Sequence, residues 1–399
     1  MTNFHVSIIG AGLGGLSLAQ ALKKDGVAFD VFERDPAPDS RLQGYRIRID
    51  ADGQRALAAC LPADLYRLFR ESASVASSAG QFLTPQLGPA LVQGPESWKT
   101  NGLDGAVDDG DLSVHRQTLR EILLSGLNPH IHFDHAFDRF SIAGDGCVDV
   151  IFENCKSVSS TVLIGADGVN SRVRRQFIPA AEPSETGSFC IYGKTAIPDG
   201  TLGNGTNVIF GDGSAAIIDT MRFREPLPDL AARLAPGCRL HPVSDYLYWA
   251  VIAPGSRFGL EDAGHDAGRI ANLARSVASA INGWHPTLQR IMADSDPADL
   301  AMLPVRSGHP EKRWLPGPVT LLGDAIHVMS PAGGLGANTA LEDARVLASA
   351  IVDTAHGKQP VGSAIAGYET KMRERAERAV AASKRAAALL FSHASENIA

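Results

Sequence analysis

Apolar positions follow different rhythms in different parts of the chain. Residues 4–9 are a short apolar, β-branched run, and residues 13–24 carry apolar side chains at helical spacing, with Leu13, Leu16, Ala19 and Leu22 on the face that would meet a sheet. A second apolar run, 27–32, ends in Glu33 and closes a strand, helix, strand unit, which implies a parallel sheet. From about residue 72 to 110 the composition turns to Ser, Gly, Pro and Gln without a sustained period, which predicts loops and short strands outside that sheet. Residues 115–124 predict a helix, and 148–152 and 161–166 predict strands separated by a polar hairpin around 153–156. Short β-rich stretches at 189–197, 207–210, 215–221 and 246–252, punctuated by Gly and Pro, predict a second, mostly antiparallel domain. Residues 269–281 are helical in pattern, 319–322 form a buried-type strand, and 364–393 recur every three to four positions as one long terminal helix.

Composition narrows the class. A chain of 399 residues with 44% hydrophobic side chains can build sizeable cores, roughly two or three domains' worth. With 37 Lys and Arg against 44 Asp and Glu, the net charge of −7 gives no electrostatic footprint for nucleic acid. Cys60, Cys147, Cys155, Cys190 and Cys238 are odd in number, far apart and form no CxxC, so a reducing, cytoplasmic setting is expected, with neither a disulfide framework nor a zinc knuckle. The 12 histidines form no HExxH or other metal spacing, so no metal is expected. No basic leader segment opens the chain and no apolar run is long enough for a membrane span, so it reads as soluble.

Two glycine-rich segments carry the chemistry. Gly10, Gly12 and Gly15 form GxGxxG between a predicted strand and a predicted helix, the context that a dinucleotide fingerprint requires. Gly10 would allow the tight turn, Gly12 the approach of a pyrophosphate and Gly15 close helix packing, while the helix N-terminus offers free N–H groups. Glu33 lies 21 positions after Gly12, where an acid can accept hydrogen bonds from an adenosine ribose. The plain alternative is a glycine turn with a surface Glu. Downstream, Gly323-Asp324-Ala325-Ile326-His327 is followed by Pro331, Gly333, Gly334, Gly336 and Asn338, again between a strand and a helix. One dinucleotide would explain both segments, with Asp324 on a polyol hydroxyl and the helix near Asn338 aiming its positive dipole at the ligand.

At these residues the chain resembles the group A flavoprotein monooxygenases, the para-hydroxybenzoate hydroxylase-like family that includes the tetracycline-inactivating monooxygenases. The resemblance spans nearly the whole chain and rests on GxGxxG with Glu33, on Asp167-Gly168 with Ser171 and Arg174, and on Gly323-Asp324. It implies an α/β fold in which a Rossmann-like FAD-binding domain (1–75, 110–183 and 300–363) carries a second β-rich substrate domain (76–109 and 184–299), with the helix 364–399 bridging the two. It implies noncovalent FAD held by Gly10, Gly12, Leu13, Gly14, Gly15, Glu33, Arg34, Arg116, Asp167, Gly323, Asp324, Pro331, Gly334, Leu335, Gly336, Ala337 and Asn338. In that set Glu33 binds the adenosine ribose, Asp324 the ribityl chain, and residues 334–338 line the isoalloxazine, with Leu335 standing where the family commonly has Gln. The Asp167-Gly168 region is implicated in both FAD and NADPH binding; its alternative is a capped helix with Arg172, Arg174 and Arg175 solvated. The expected activity is NADPH- or NADH-dependent transfer of one oxygen atom from O2, through a flavin C4a-hydroperoxide, to an aromatic or polycyclic, polyketide-like small molecule.

Other positions stay open. Arg46, Arg48 and Asp50 share one face of a strand-like stretch and would meet either a nicotinamide phosphate, an acidic substrate or solvent. Tyr192, Met221, Phe223, Tyr246, Tyr248 and Trp249 could wall a pocket, with core packing the favoured reading. His327 reads as a packing or loop-fixing residue, and no side chain is singled out as catalytic. Two rivals remain: a flavin halogenase, whose Trp-x-Trp-x-Ile-Pro segment is absent, and a non-redox FAD protein that guides cyclisation of a small molecule.

Overall fold

The computed structural model describes residues 4–40, 44–75, 80–90, 110–198, 202, 205–260 and 272–392. The first apolar run forms the strand His5–Ile9, buried from Val6 onward, as a strand covered on both faces must be. It is the centre of a five-stranded parallel sheet in the order Val319–Leu321, Val162–Gly165, His5–Ile9, Ala28–Phe32, Ile131–His132. The helix Leu13–Lys24 returns the chain between the first two strands, and its predicted face of Leu13, Leu16, Ala19 and Leu22 is buried. Helices Ala51–Cys60 and Gly336–Ala355 pack on it.

The β-rich stretches form a six-stranded sheet in the order Ala301–Ser307, Ser184–Thr195, Tyr246–Pro254, Ala215–Met221, Asn207–Phe210, Gln81–Leu83. Every pairing in it is antiparallel except the last. Pleating splits Tyr246–Pro254 between two environments. Leu247, Trp249, Val251 and Ala253 join a cluster with residues of helices Leu273–Ala280 and Pro286–Ala293, whereas Ala250 and Ile252 face the opposite side with Cys190 and Phe210. The fold is thus α/β, with a Rossmann-like body, a second β-rich body and a long helix, Val361–Ser392. No helix among the described residues is long and apolar enough to cross a membrane.

Three expectations need correction. The hairpin at 153–156 joins Val148–Phe152 to Ser157–Ser160 in a separate three-stranded antiparallel sheet with Phe137–Ile142, and Val162–Gly165 leaves for the parallel sheet. The burial patterns show why: Val148–Phe152 alternates, while all four residues of Val162–Gly165 are buried. Ala301–Ser307, assigned by sequence to the nucleotide body, pairs instead with Ser184–Thr195, so a boundary at 300 falls one strand too early. Conversely, Leu227, Leu230 and Ala231 of helix Leu227–Leu234, inside the expected substrate domain, are buried in the nucleotide core. Of the expected helix 269–281, residues 269–271 lie outside the described residues, as do 76–79 and 91–109 of the expected substrate domain and 393–399 of the terminal helix.

The long helix serves both bodies. Ile365, Tyr368, Met372 and Ala376 are buried in the nucleotide core, and Ala386 and Leu390 in the cluster on the open face of the six-stranded sheet. The Tyr368 hydroxyl donates to Leu321 O at 2.9 Å, tying the helix to the sheet's edge strand. A chain stopped after residue 360 should lose all of these contacts and melt far below the intact protein, whereas one stopped after 392 should keep its melting temperature; equal melting of both would show the helix to be an appendage.

Candidate functional site

Three of the motifs meet because three neighbouring parallel strands end on the same side. His5–Ile9 runs into the first glycine turn, Val162–Gly165 into Asp167-Gly168, and Val319–Leu321 into Gly323-Asp324. Ligands bind at such carboxyl ends in open α/β sheets. Gly10 has a φ of +109°, and a Cβ there would lie 2.4 Å from Ala166 O, so only glycine closes this turn. Gly12 has no protein atom within 4 Å of its Cβ position and leaves its backbone open to approach. Gly14 and Gly15 are packing positions: their Cβ atoms would strike Leu322 Cδ2 at 2.5 Å and Gly10 O at 2.2 Å. Leu13 is core, 8% exposed.

Gly10, Gly12, Glu33, Arg34, Arg116 and Asp167 line one cleft of about 450 Å³. Glu33, buried, already accepts from Ala11 N at 2.8 Å and from Asp35 N at 3.1 Å, so its carboxylate is preset against the turn. Arg120, one helical turn beyond Arg116, also lines the cleft and donates to Ala11 O at 3.1 Å and to Pro38 O. Sequence reading missed it, although the four-residue spacing on helix Arg116–Leu124 was the available signal. Asp167 Oδ2 accepts from Arg172 N at 2.7 Å and Val173 N at 3.3 Å, while its buried Oδ1 has no hydrogen-bond partner among the described residues, and burial raises the Asp167 pKa against the hydrogen bonds that lower it. Asp167 therefore caps the helix and also leaves an unmatched oxygen beside the cleft. Ser171 Oγ accepts from Arg174 N at 2.9 Å, and Arg174, fully buried, donates to Val169 O and Ala325 O at 3.0 Å and to Glu182 at 2.8 Å. Arg174 is neither solvated nor a ligand group: it ties the second turn to the third.

The third turn is held from below. Asp343, on helix Gly336–Ala355, accepts from Gly323 N at 3.2 Å, pairs with His327 Nε2 at 2.6 Å, and accepts from Arg375 Nε at 3.0 Å and from Arg375 Nη2. Burial alone would push the imidazole down, but the Asp343 carboxylate outweighs it and holds His327 above its ordinary pKa; burial would raise Asp343, and His327 with Arg375 hold it below. Asp324 opens the short helix after the third turn, its pKa raised by desolvation against the opposing charges of His327 and Arg116. Arg116 therefore lines the cleft and also acts electrostatically on Asp324.

The loop that follows is fastened on two sides. A Cβ on Gly333 would lie 3.2 Å from Ser383 Cα, and Ser383 Oγ donates to Ser330 O at 2.6 Å, so Val361–Ser392 supports the turn that begins at Pro331. The Asn338 side chain donates to Arg48 O and Gly334 O, both at 3.1 Å, and accepts from Asp50 N at 3.1 Å. It is a fastener with its polar atoms spent on the chain; Gly334, Leu335, Gly336 and Ala337 remain partly exposed. Asp50 is not part of a charged strand face, since its Oδ1 caps helix Ala51–Cys60 through Gly53 N at 2.9 Å. Arg46 pairs with Asp219 at 2.8 Å and Arg48 with Asp111, so neither is solvated freely.

Of the six aromatic and soft residues considered for a pocket wall, Trp249 and Met221 are 0% exposed and Tyr246 is 6% exposed, all core. Tyr192 and Tyr248 are only partly buried, on the sheet face that meets Ala332 and Ala386.

Known proteins share these features. A family described as FAD binding domain matches residues 273–383, and one described as NAD(P)-binding Rossmann-like domain matches residues 8–57. A solved structure of a candidate FAD containing monooxygenase from Photorhabdus luminescens is 30% identical, with a TM-score of 0.79 over 98% of this chain and 100% of that one. A dual O-methyltransferase/FAD-dependent monooxygenase of Cercospora beticola is 34% identical over 406 residues, covering 94% of this chain; the chain spans only 44% of that relative's length. An aurachin C monooxygenase/isomerase of Stigmatella aurantiaca is 27% identical, covering 96% of this chain and 89% of the relative.

The buried pair sets a pH dependence. Asp343, held below its ordinary value of 3.8, adds stability that is present above that pH and is lost as the pH falls through its folded value. In Asp343→Asn burial dominates at His327, so its folded pKa drops and acid loss should begin as the pH falls below about 6.5, with a cost of about 3–5 kcal/mol for the broken buried pair. Melting temperatures followed across the acid range check this; parallel profiles for the two proteins would contradict it.

Proposed function

Because the chain belongs to the group A FAD-dependent monooxygenases, the para-hydroxybenzoate hydroxylase-like family, we propose that it binds FAD noncovalently and uses NADPH or NADH with O2 to oxygenate an aromatic or polycyclic small molecule. The observation that carries the reading is the convergence of three turns, from strands far apart in sequence, at adjacent carboxyl ends of one parallel sheet. A single extended dinucleotide fits this arrangement. The open approach at Gly12 suits a pyrophosphate, the unmatched Asp167 Oδ1 suits a hydroxyl or amide donor, and Arg116 offsets phosphate charge.

In this reading Glu33 holds the adenosine ribose with the lone pairs left free by Ala11 and Asp35, Asp324 holds the ribityl chain, and residues 334–337 support the ring. FAD, when bound, accepts a hydride from the nicotinamide and activates O2 for transfer of one oxygen atom. The protein's part is position and dryness. The sheet face bearing Tyr192 and Tyr248, opposite the loop at 331–334, orients an aromatic substrate and keeps water away. The small molecule named in one relative, aurachin C, supports a small-molecule substrate. The five cysteines, all unpaired, support a reducing, cytoplasmic setting.

Purified protein should be yellow. Glu33→Ala should weaken FAD binding by at least about tenfold, since each charge-assisted hydrogen bond is worth about 1.5–3 kcal/mol. Glu33→Gln, which keeps an acceptor for the Ala11 amide, separates the ribose contact from the turn. An unchanged FAD dissociation constant in both variants would remove Glu33 from the site.

With a true substrate, oxidation of the nicotinamide should accelerate, and with isotopically labelled O2 one labelled atom should enter the product while the other leaves as water. Product of unchanged formula formed without O2 or nicotinamide would refute oxygenation and favour the non-redox cyclisation.

A further inference from the structure

Arg48 carries a charge that these contacts leave unassigned. It lies on the short strand Ile47–Ile49, which pairs with Leu112–Val114 beside the nucleotide sheet. Its Nε and Nη2 are taken by Asp111, at 2.7 and 2.5 Å. Its Nη1 is closed off from solvent and has no acceptor among the described residues. Nη1 and Cδ lie 3.5 and 3.6 Å from the point where a Cβ on Gly334 would stand, so the guanidinium rests on the bare backbone of that loop. The same Asn338 amide that holds Gly334 O holds Arg48 O, which makes the strand and the loop one unit. A charged donor left buried and unpaired is unfavourable, and an acceptor brought by a ligand relieves it. The loop against which this donor lies is the one to which the FAD reading gives the isoalloxazine ring.

We propose that Arg48 tunes the flavin: with FAD bound, its unpaired Nη1 donates to the polar edge of the ring held by residues 334–337 and favours negative charge there, while Asp111 fixes the guanidinium and moderates its charge. This inference rests on the FAD reading. An arginine bonded to Asp111 on two nitrogens has only its remaining N–H groups to offer, so the direction of its action is set by that pairing. Removing Asp111 therefore acts opposite to removing Arg48, a sign reversal that a role in packing alone does not produce.

The test uses the FAD-loaded full chain without substrate. Sulfite is titrated by the bleaching of flavin absorbance, and the flavin midpoint potential is measured in parallel. Arg48→Met should retain FAD, bind sulfite about tenfold more weakly and have a potential lower by about 30 mV, the two-electron equivalent of a tenfold change in equilibrium constant. Arg48→Lys should fall between Met and the parent, and Asp111→Asn should shift both readouts the other way. If Arg48→Met loses FAD, the Lys and Asn variants carry the comparison. Unchanged sulfite affinity and potential, or shifts of the same sign for Arg48 and Asp111 variants, would overturn the role of Arg48. A parent protein that takes up no FAD would instead refute the cofactor reading beneath it.

Discussion

One buried carboxylate holds the third turn and the helices beneath it together. Asp343 receives the Gly323 amide, the His327 imidazole and the Arg375 guanidinium, which come from a turn, a short helix and the long helix Val361–Ser392. Each of these partners is needed by the others. A lone carboxylate at 0% exposure is strongly unfavourable, and two positive partners in contact make the ion tenable. The geometry of the third turn, and with it the position of Asp324, follows from where this charge is neutralised.

The two bodies meet through a small number of specific links laid over apolar contact. Arg46 reaches Asp219 on the six-stranded sheet, and Ser113 and Thr206 share the same carboxylate oxygen. On the other side Arg306 donates to Asn170, beside the Asp167-Gly168 turn, and to Glu185. The far end of the long helix completes the joint with Ala386 and Leu390. Polar links fix angle and register, while apolar burial supplies most of the favourable free energy. The β-rich body is therefore tied to the nucleotide side at several separate points.

What could be read from sequence was what local pattern controls. The period of residues 13–24 and the glycines at 10, 12 and 15 specify their own conformation, so the first strand, helix and turn were legible, as was the run of short antiparallel strands. Partner choice was not. Nothing in Ala301–Ser307 distinguishes pairing with Ser184–Thr195 from pairing with the nucleotide sheet. Arg174 beside a helix start looks like a solvated charge until Ala325 O and Glu182 arrive from elsewhere in the chain. Asp50 carried a readable cap signal, an acid before a helix, that its alternation with Arg46 and Arg48 obscured. The resemblance alone assigns Asn338 to the ring, and it carries no sign that the side chain is committed to Arg48, Gly334 and Asp50. Family resemblance locates the motifs in the chain but carries nothing about which polar atoms are already spent.

The order of strands in the parallel sheet bears on how the molecule is made. Its middle strand, His5–Ile9, and its edge strand, Val319–Leu321, with the helix that braces it, are separated by some three hundred residues. A chain in which only the first strand, helix and strand have formed thus leaves one glycine turn exposed at the end of an incomplete sheet. Closure waits on contacts of large sequence separation, the slow class in folding, and the whole β-rich body must be threaded between the two halves before it occurs. A ligand that spans all three turns consequently adds its stabilisation to the completed sheet rather than to its nucleation.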